Sequence, residues 1–179
     1  MTSYGGKELA SAFRTVRKNT IQVAEDIPES KYGFVAAPDV RSVGRMLTHV
    51  AIATRISLDI DKTRHLATLV GYDFFGLLDR FNAEEAKTRT KAEILDLLRT
   101  EGEQFVAWLE TLTPEFLAER VTEPDGKASK SRFERLLGVK EHEMHHRAQL
   151  MLIERQLGIV PHLTRQFNER AAQMRAARA

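Results

Sequence analysis

The sequence predicts an all-α protein, a four-helix bundle with a long connection between its second and third helices. Three observations carry that expectation. Four stretches repeat apolar residues at steps of three and four. Pro and Gly signals punctuate them. No alternation of the strand kind persists along the 179 residues. That length suits one domain, or one domain with an appendage. With 42% hydrophobic and 29% charged residues, collagen-like, low-complexity and largely disordered chains are excluded.

The first helix spans residues 7–26. Leu9, Phe13, Val16 and Val23 share one stripe, and Ile27 and Pro28 end it. An extended segment, residues 29–39, follows between Pro28 and Pro38. The second helix, residues 40–61, places Met46, His49, Ala53, Ile56 and Ile60 on its seam. Residues 62–89 are less regular: a short helix near 65–70, a turn at Gly71, Tyr72 and Asp73, then an apolar piece over 74–81. A connection of this length reaches from one end of a bundle to the other, leaving the second and third helices parallel. The third helix, residues 91–112, carries Ile94, Leu98, Phe105, Trp108 and Leu112. Pro114 and the turn Glu123-Pro124-Asp125-Gly126 close it off. The fourth, residues 131–157, stops at Gly158 and Pro161. Residues 1–160 are therefore expected to form the bundle, and 161–179 an Arg-rich helix or solvated tail.

Charge points to no macromolecular partner. The net charge is +2, of which the tail holds +3 through Arg165, Arg170, Arg175 and Arg178 against Glu169, so the remainder is near −1. A nucleic-acid binder would carry a basic stripe on its folded body, and none is visible. The first eight residues lack the apolar run of a signal peptide, and no stretch approaches the ~20 apolar residues that span a bilayer. A soluble, cytoplasmic protein is expected. There is no cysteine, which excludes disulfides, thiolate metal sites and a cysteine nucleophile.

The chemistry is concentrated in histidines: His49, His65, His142, His145, His146 and His162. On a helix His142 and His146 lie about 40° apart and ~6 Å along the axis, so both rings can face one ion. Val139, Gln149, Ile153 and Leu157 fall near the same direction, which reads as a core face, with Lys140, Glu143, Arg147 and Glu154 opposite. His49 sits mid-seam on the second helix. A lone interior histidine is usually a hydrogen-bonded core residue. Two on one buried face are costly without partners, and a third from another helix makes a three-histidine metal site the better reading. Such a set suits Zn, Ni, Fe or Cu and leaves a position for water or substrate. His145, about 60° from His142, is either a supporting donor or a surface residue.

The same stretch spells H-E-x-x-H, the motif that in zincins supplies two zinc ligands and a general-base glutamate. Here Gln149 and Leu152 stand where the metzincin extension needs Gly and His, and no accompanying sheet is expected. A metallopeptidase is therefore the lesser reading. Glu101, on the seam of the third helix between Leu98 and Phe105, is expensive there unless paired. It is read first as the partner of an arginine, and second as a carboxylate near a metal.

Lys140-Glu-His-Glu-Met-His-His-Arg-Ala-Gln-Leu150 resembles the fourth-helix signature of the DinB/YfiT-like family, approximately H-x-x-H-H-R-G-Q, with Ala148 at the Gly position. Ala37-Pro-Asp-Val-Arg-Ser-Val-Gly-Arg-Met-Leu-Thr-His49 resembles its loop and second helix, and Ile27-Pro-Glu-Ser-Lys-Tyr-Gly-Phe34 its usual connector. The similarity covers about residues 5–160. It implies a divalent metal (Zn, Ni or Fe) held by His49, His142 and His146, and frequent homodimerisation. The family includes thiol-dependent S-transferases and a maleylpyruvate isomerase, so the implied function is a metalloenzyme that activates water or a low-molecular-weight thiol against a small-molecule substrate. A non-catalytic metal or small-molecule binding protein of the stress response is the alternative.

Overall fold

The computed structural model describes residues 4–178. Met1, Thr2 and Ser3, the start of the stretch read above for a leader, and Ala179, the end of the Arg-rich segment, lie outside the described residues. In chain order the elements are α1 (Gly6–Asp26), α2 (Val43–Ile52), the single turn α3 (Thr54–Ser57), α4 (Phe74–Glu85), α5 (Lys91–Leu109), the short α6 (Pro114–Ala118), strands β1 (Arg120–Thr122) and β2 (Ser129–Ser131), α7 (Arg132–Gln156) and α8 (His162–Ala176). The expected four-helix bundle is present, built from α1, α2, α5 and α7. Among the described residues no helix is long and apolar enough to cross a membrane.

Side-chain contacts fix the directions. Phe13 stacks edge-on against Phe105 with ring centroids 4.9 Å apart, and Arg99 holds Glu25, so α1 and α5 are antiparallel. Gly44 faces Ile94, while Arg55 just beyond α2 holds Glu101, so α2 and α5 run the same way. Tyr4 meets Phe133 and Arg17 meets Glu143, so α1 and α7 are also parallel. The order is up, down, down, up, and it needs the long crossover between α2 and α5 that the sequence suggests. Capping sets the helix starts. Ser42, Thr90 and Ser131 each accept a backbone N–H from the first turn of the helix they precede.

The second helix differs from its expected span of 40–61. It begins at Val43, because Asp39 turns at φ 62° and Ser42 is extended as the cap. After Ile52 the helix is interrupted at Ala53 and continues through α3 into a π-helical segment, Leu58–Thr63. Residues 65–70 form no helix. They run beside β1 instead, with Leu69 N–H donating to Thr122 O and Thr122 N–H to Ala67 O. The β1–β2 hairpin was not expected, since two three-residue strands are too short to show alternation. Its turn is the one read at residues 123–126, where Gly126 adopts φ 70°. The apolar piece over 74–81 extends into α4, whose buried stripe is Leu77, Phe81 and Glu85.

The core face of α7 also differs from the expected one. Leu136, Glu143, Leu150, Ile153 and Glu154 are its buried positions, along with Arg132 at its start. The face is rotated by about one residue from the histidine stripe, so Glu143 and Glu154 point inward, contrary to the polar side assigned to them. The reason for Glu143 lies on α1. Arg17, itself 4% exposed, grips that carboxylate through Nε (3.0 and 3.1 Å) and Nη2 (3.0 Å). It also donates to Leu98 O (2.7 Å) and Val50 O (3.2 Å). One buried ion pair thus ties together all four helices of the bundle.

Candidate metal centre

The histidine stripe of α7 flanks its core face and looks across to α2. One side-chain nitrogen from each of His49, His142 and His146 lies within 4.8 Å of the other two. His49 Nε2 and His142 Nε2 are 3.0 Å apart. Two nitrogens bound to one tetrahedral ion at 2.0–2.1 Å would sit ~3.3 Å apart, so the pair already stands at nearly the spacing that a shared ion requires. All three rings are half-buried.

Two neighbours orient the rings. Glu85, delivered by α4, places Oε1 2.6 Å from His49 Nδ1. A carboxylate only accepts, so Nδ1 carries the proton and the Nε2 lone pair is left facing His142. Gln149 Oε1 lies 2.8 Å from His146 Nδ1, and its amide nitrogen lies 3.2 Å from His145 Nε2. With the amide donating to His145, Oε1 accepts from His146 and leaves His146 Nε2 free as well. A buried carboxylate or amide behind the ligand ring is the usual way to set tautomer and orientation.

Electrostatics favour the neutral, ligating form. Burial pushes His142 down to about 4, and the neighbouring His146 and His49 add to that shift. Burial also lowers His146, against the hydrogen bond to Gln149. Burial alone would raise Glu85, but its hydrogen bonds from His49 and Arg41 outweigh this and hold it at about 2. At neutral pH His142 and His146 are uncharged imidazoles, and imidazole nitrogens suit a borderline divalent ion.

The triad is open on two flanks. A cavity of about 600 Å³ reaches His146 and Gln149 between the segment before α2 and the outer part of α7, with Arg41, Arg45, Met46 and Ile153 on its walls. A smaller one, about 210 Å³, touches His49 and His142 from the other side. A site of this volume accommodates a small organic molecule.

The remaining candidates are elsewhere. His145 is exposed, His65 pairs with Glu119 (2.5 Å), and the buried His162 faces Asn19 (3.2 Å). Glu101 is held by Arg55 at 2.5 Å, the arginine partner expected for it. Glu143, the would-be base of H-E-x-x-H, is locked by Arg17 on another face, and the only sheet among the described residues is the two-stranded hairpin. The metallopeptidase reading thereby loses its base. Glu85 and Arg41 are the residues beside the triad that sequence reasoning missed. The signal for Glu85 was its place four and eight residues after Phe81 and Leu77.

Comparison with known proteins agrees with this architecture. The chain superposes on a DinB-like protein of Bacillus subtilis with a TM-score of 0.63, at 22% identity, over 84% of this chain and 92% of that one. YfiT of Bacillus subtilis, described as a probable metal-dependent hydrolase with an unusual four-helix bundle topology, matches with a TM-score of 0.65 at 17% identity, covering 89% and 91%. An uncharacterised protein of Clostridium difficile 630 matches at 0.65 and 14% identity, covering 87% and 98%. No curated protein matches the sequence. The sequence model of the DinB superfamily matches residues 12–150, a span that contains all three histidines. The chain belongs to the DinB superfamily.

Proposed function

We propose that this protein is a metal-dependent enzyme acting on a small molecule, with His49, His142 and His146 holding one divalent ion (Zn, Ni or Fe). The observation that carries the reading is the convergence of three imidazoles, of which His146 lines a cavity of about 600 Å³ and His49 and His142 a smaller one of about 210 Å³. Bound there, the ion supplies Lewis acidity that brings water or a thiol toward its anionic form near neutral pH. The chain's own residues do the positioning. Glu85 keeps the proton of His49 on Nδ1, Gln149 does the same for His146, and the Arg17–Glu143 pair holds α7 in register with the bundle. With no cysteine in the sequence, any thiol arrives as a cosubstrate, so hydrolysis and thiol transfer are the two reaction types supported.

A second reading, metal or small-molecule binding without catalysis, is favoured by one observation. Three of the buried acids discussed above are already engaged: Glu85 by His49 and Arg41, Glu143 by Arg17, Glu101 by Arg55. The test is reconstitution of metal-free protein with one equivalent of Zn, Ni or Fe, followed by a panel of esters and of electrophiles offered with a small thiol. Turnover that requires the ion supports the enzyme. Stoichiometric metal with no turnover across the panel favours the binding protein.

The protein is also proposed to be a homodimer. Val70, Phe74, Phe75 and Leu78 leave an exposed apolar patch at the start of α4, Phe75 being 79% exposed. Light scattering is expected to give twice the chain mass of 20.3 kDa. The chain mass itself across a wide concentration range would refute pairing.

A further inference from the structure

The wall of the large cavity bears a charge that the metal reading leaves unused. Two arginines line it, Arg41 and Arg45. Arg41 is committed to Glu85, with Nε 2.6 Å from Oε2. The Arg45 guanidinium makes no hydrogen bond or ion pair with any described residue. By contrast Arg14, Arg17, Arg55, Arg99, Arg132 and Arg165 each hold a carboxylate. Arg45 also sits in the first turn of α2, where the helix's own positive end disfavours a cation. Arg45 is thus an exposed arginine on the cavity wall with no partner for its guanidinium among the described residues.

Its placement relative to the triad is informative. Arg45 and His49 are four residues apart on one helix, hence on one face and ~6 Å apart along the axis. The same cavity touches His146, so a small ligand can span both ends. The same wall carries the apolar Met46, Leu152 and Ile153, beside the polar Gln149 and Gln156. The rim carries one acid, Asp39, which is exposed and bonded to neither arginine. With Arg41 already neutralised by Glu85, Arg45 is the one arginine of the wall with no carboxylate bound to it, which offers a place for one anionic group. A guanidinium fork presents paired donors to a carboxylate.

We infer that this cavity binds a small organic monocarboxylate, with the carboxylate on Arg45 and the apolar body lying along Met46, Leu152 and Ile153 toward His146. This assigns a substrate class to the site of the proposed function, and only the ligand's orientation toward the histidines rests on the metal reading. Arg45 is a specificity-determining residue in this account.

The probes are 4-phenylbutyrate and its uncharged amide, 4-phenylbutyramide, titrated calorimetrically into metal-free and zinc-loaded protein. The carboxylate is expected to bind at least about tenfold more tightly than the amide. In Arg45→Gln that preference should disappear, through weaker binding of the carboxylate and unchanged binding of the amide. Arg45 is exposed, so the variant retains the fold, which circular dichroism checks. Equal binding of the two probes, no binding of either up to about 10 mM, or an undiminished preference in Arg45→Gln overturns the inference. The metal arm separates the two readings. If no zinc is taken up but the Arg45-dependent preference persists, this inference stands and the metal assignment falls. If zinc binds but the preference is absent, the inference falls alone.

Discussion

His49 Nδ1 stands 2.6 Å from Glu85 Oε1, a contact between the second helix of the bundle and a residue of the crossover. Burial, a fixed tautomer and an arginine behind the carboxylate make it the anchor of the candidate centre. Replacing Glu85 with Gln removes the charge while keeping the shape. Metal affinity is expected to fall roughly 10–100-fold, measured by competition with a chromogenic chelator. An unchanged affinity would mean that Glu85 only packs.

The Arg17–Glu143 pair makes a different prediction, about stability. Arg17→Met leaves a carboxylate buried without compensation, which is expected to cost about 3–5 kcal/mol in urea unfolding. Adding Glu143→Leu to that variant should recover most of the loss, because the orphaned charge is gone. A cost below about 1 kcal/mol for Arg17→Met would show that the pair is not the tie between the helices described above.

Much of this framework was legible in the sequence, and the reasons are local. The fourth helix was expected from residue 131, and Ser131 is indeed its cap, paired reciprocally with Glu134. Thr90 and Glu93 do the same for α5. His142 and His146 were legible as a pair because i, i+4 spacing on a helix is rigid geometry, and His49 because it sits mid-seam on the second helix. Glu143 was misplaced because polarity alone cannot show that an acid has a buried partner from elsewhere in the chain, as Arg17 is for it, and Glu154 is buried with no partner for its carboxylate, which polarity argues against. Glu85 was missed for a related reason. Its role depends on how the crossover folds back on α2, a long-range contact that no local pattern encodes.

Glu154 offers a pH test away from the metal centre. It is fully buried and neither carboxylate oxygen has a partner. Burial, aided by the nearby Asp26 and opposed by Arg165 and Arg155, pushes it up to about 7. In the unfolded chain the group titrates near 4.5. Below that pH both states are protonated and the group costs nothing. As pH rises from 4.5 to 7 the unfolded state ionises first, so stability is progressively lost. Glu154→Gln should therefore stabilise the protein by about 3 kcal/mol at pH 8 and leave it unchanged near pH 4, by thermal unfolding at the two pH values. A destabilising effect at pH 8 would indicate that the carboxylate has a partner there.

The most direct test of the metal assignment compares two adjacent histidines. Calorimetric titration of zinc into metal-free protein should show one site per chain. His146→Ala removes a ring aimed at His49 and His142 and is expected to abolish tight binding, as are His49→Ala and His142→Ala. The exposed His145 meets Gln149 and the edge of His146 and is not among the three converging rings, so His145→Ala should weaken binding by no more than roughly 10–100-fold. If His145→Ala empties the site while His146→Ala keeps it, or if the unaltered protein takes up no zinc, nickel or iron at all, the three-histidine centre is not a metal site.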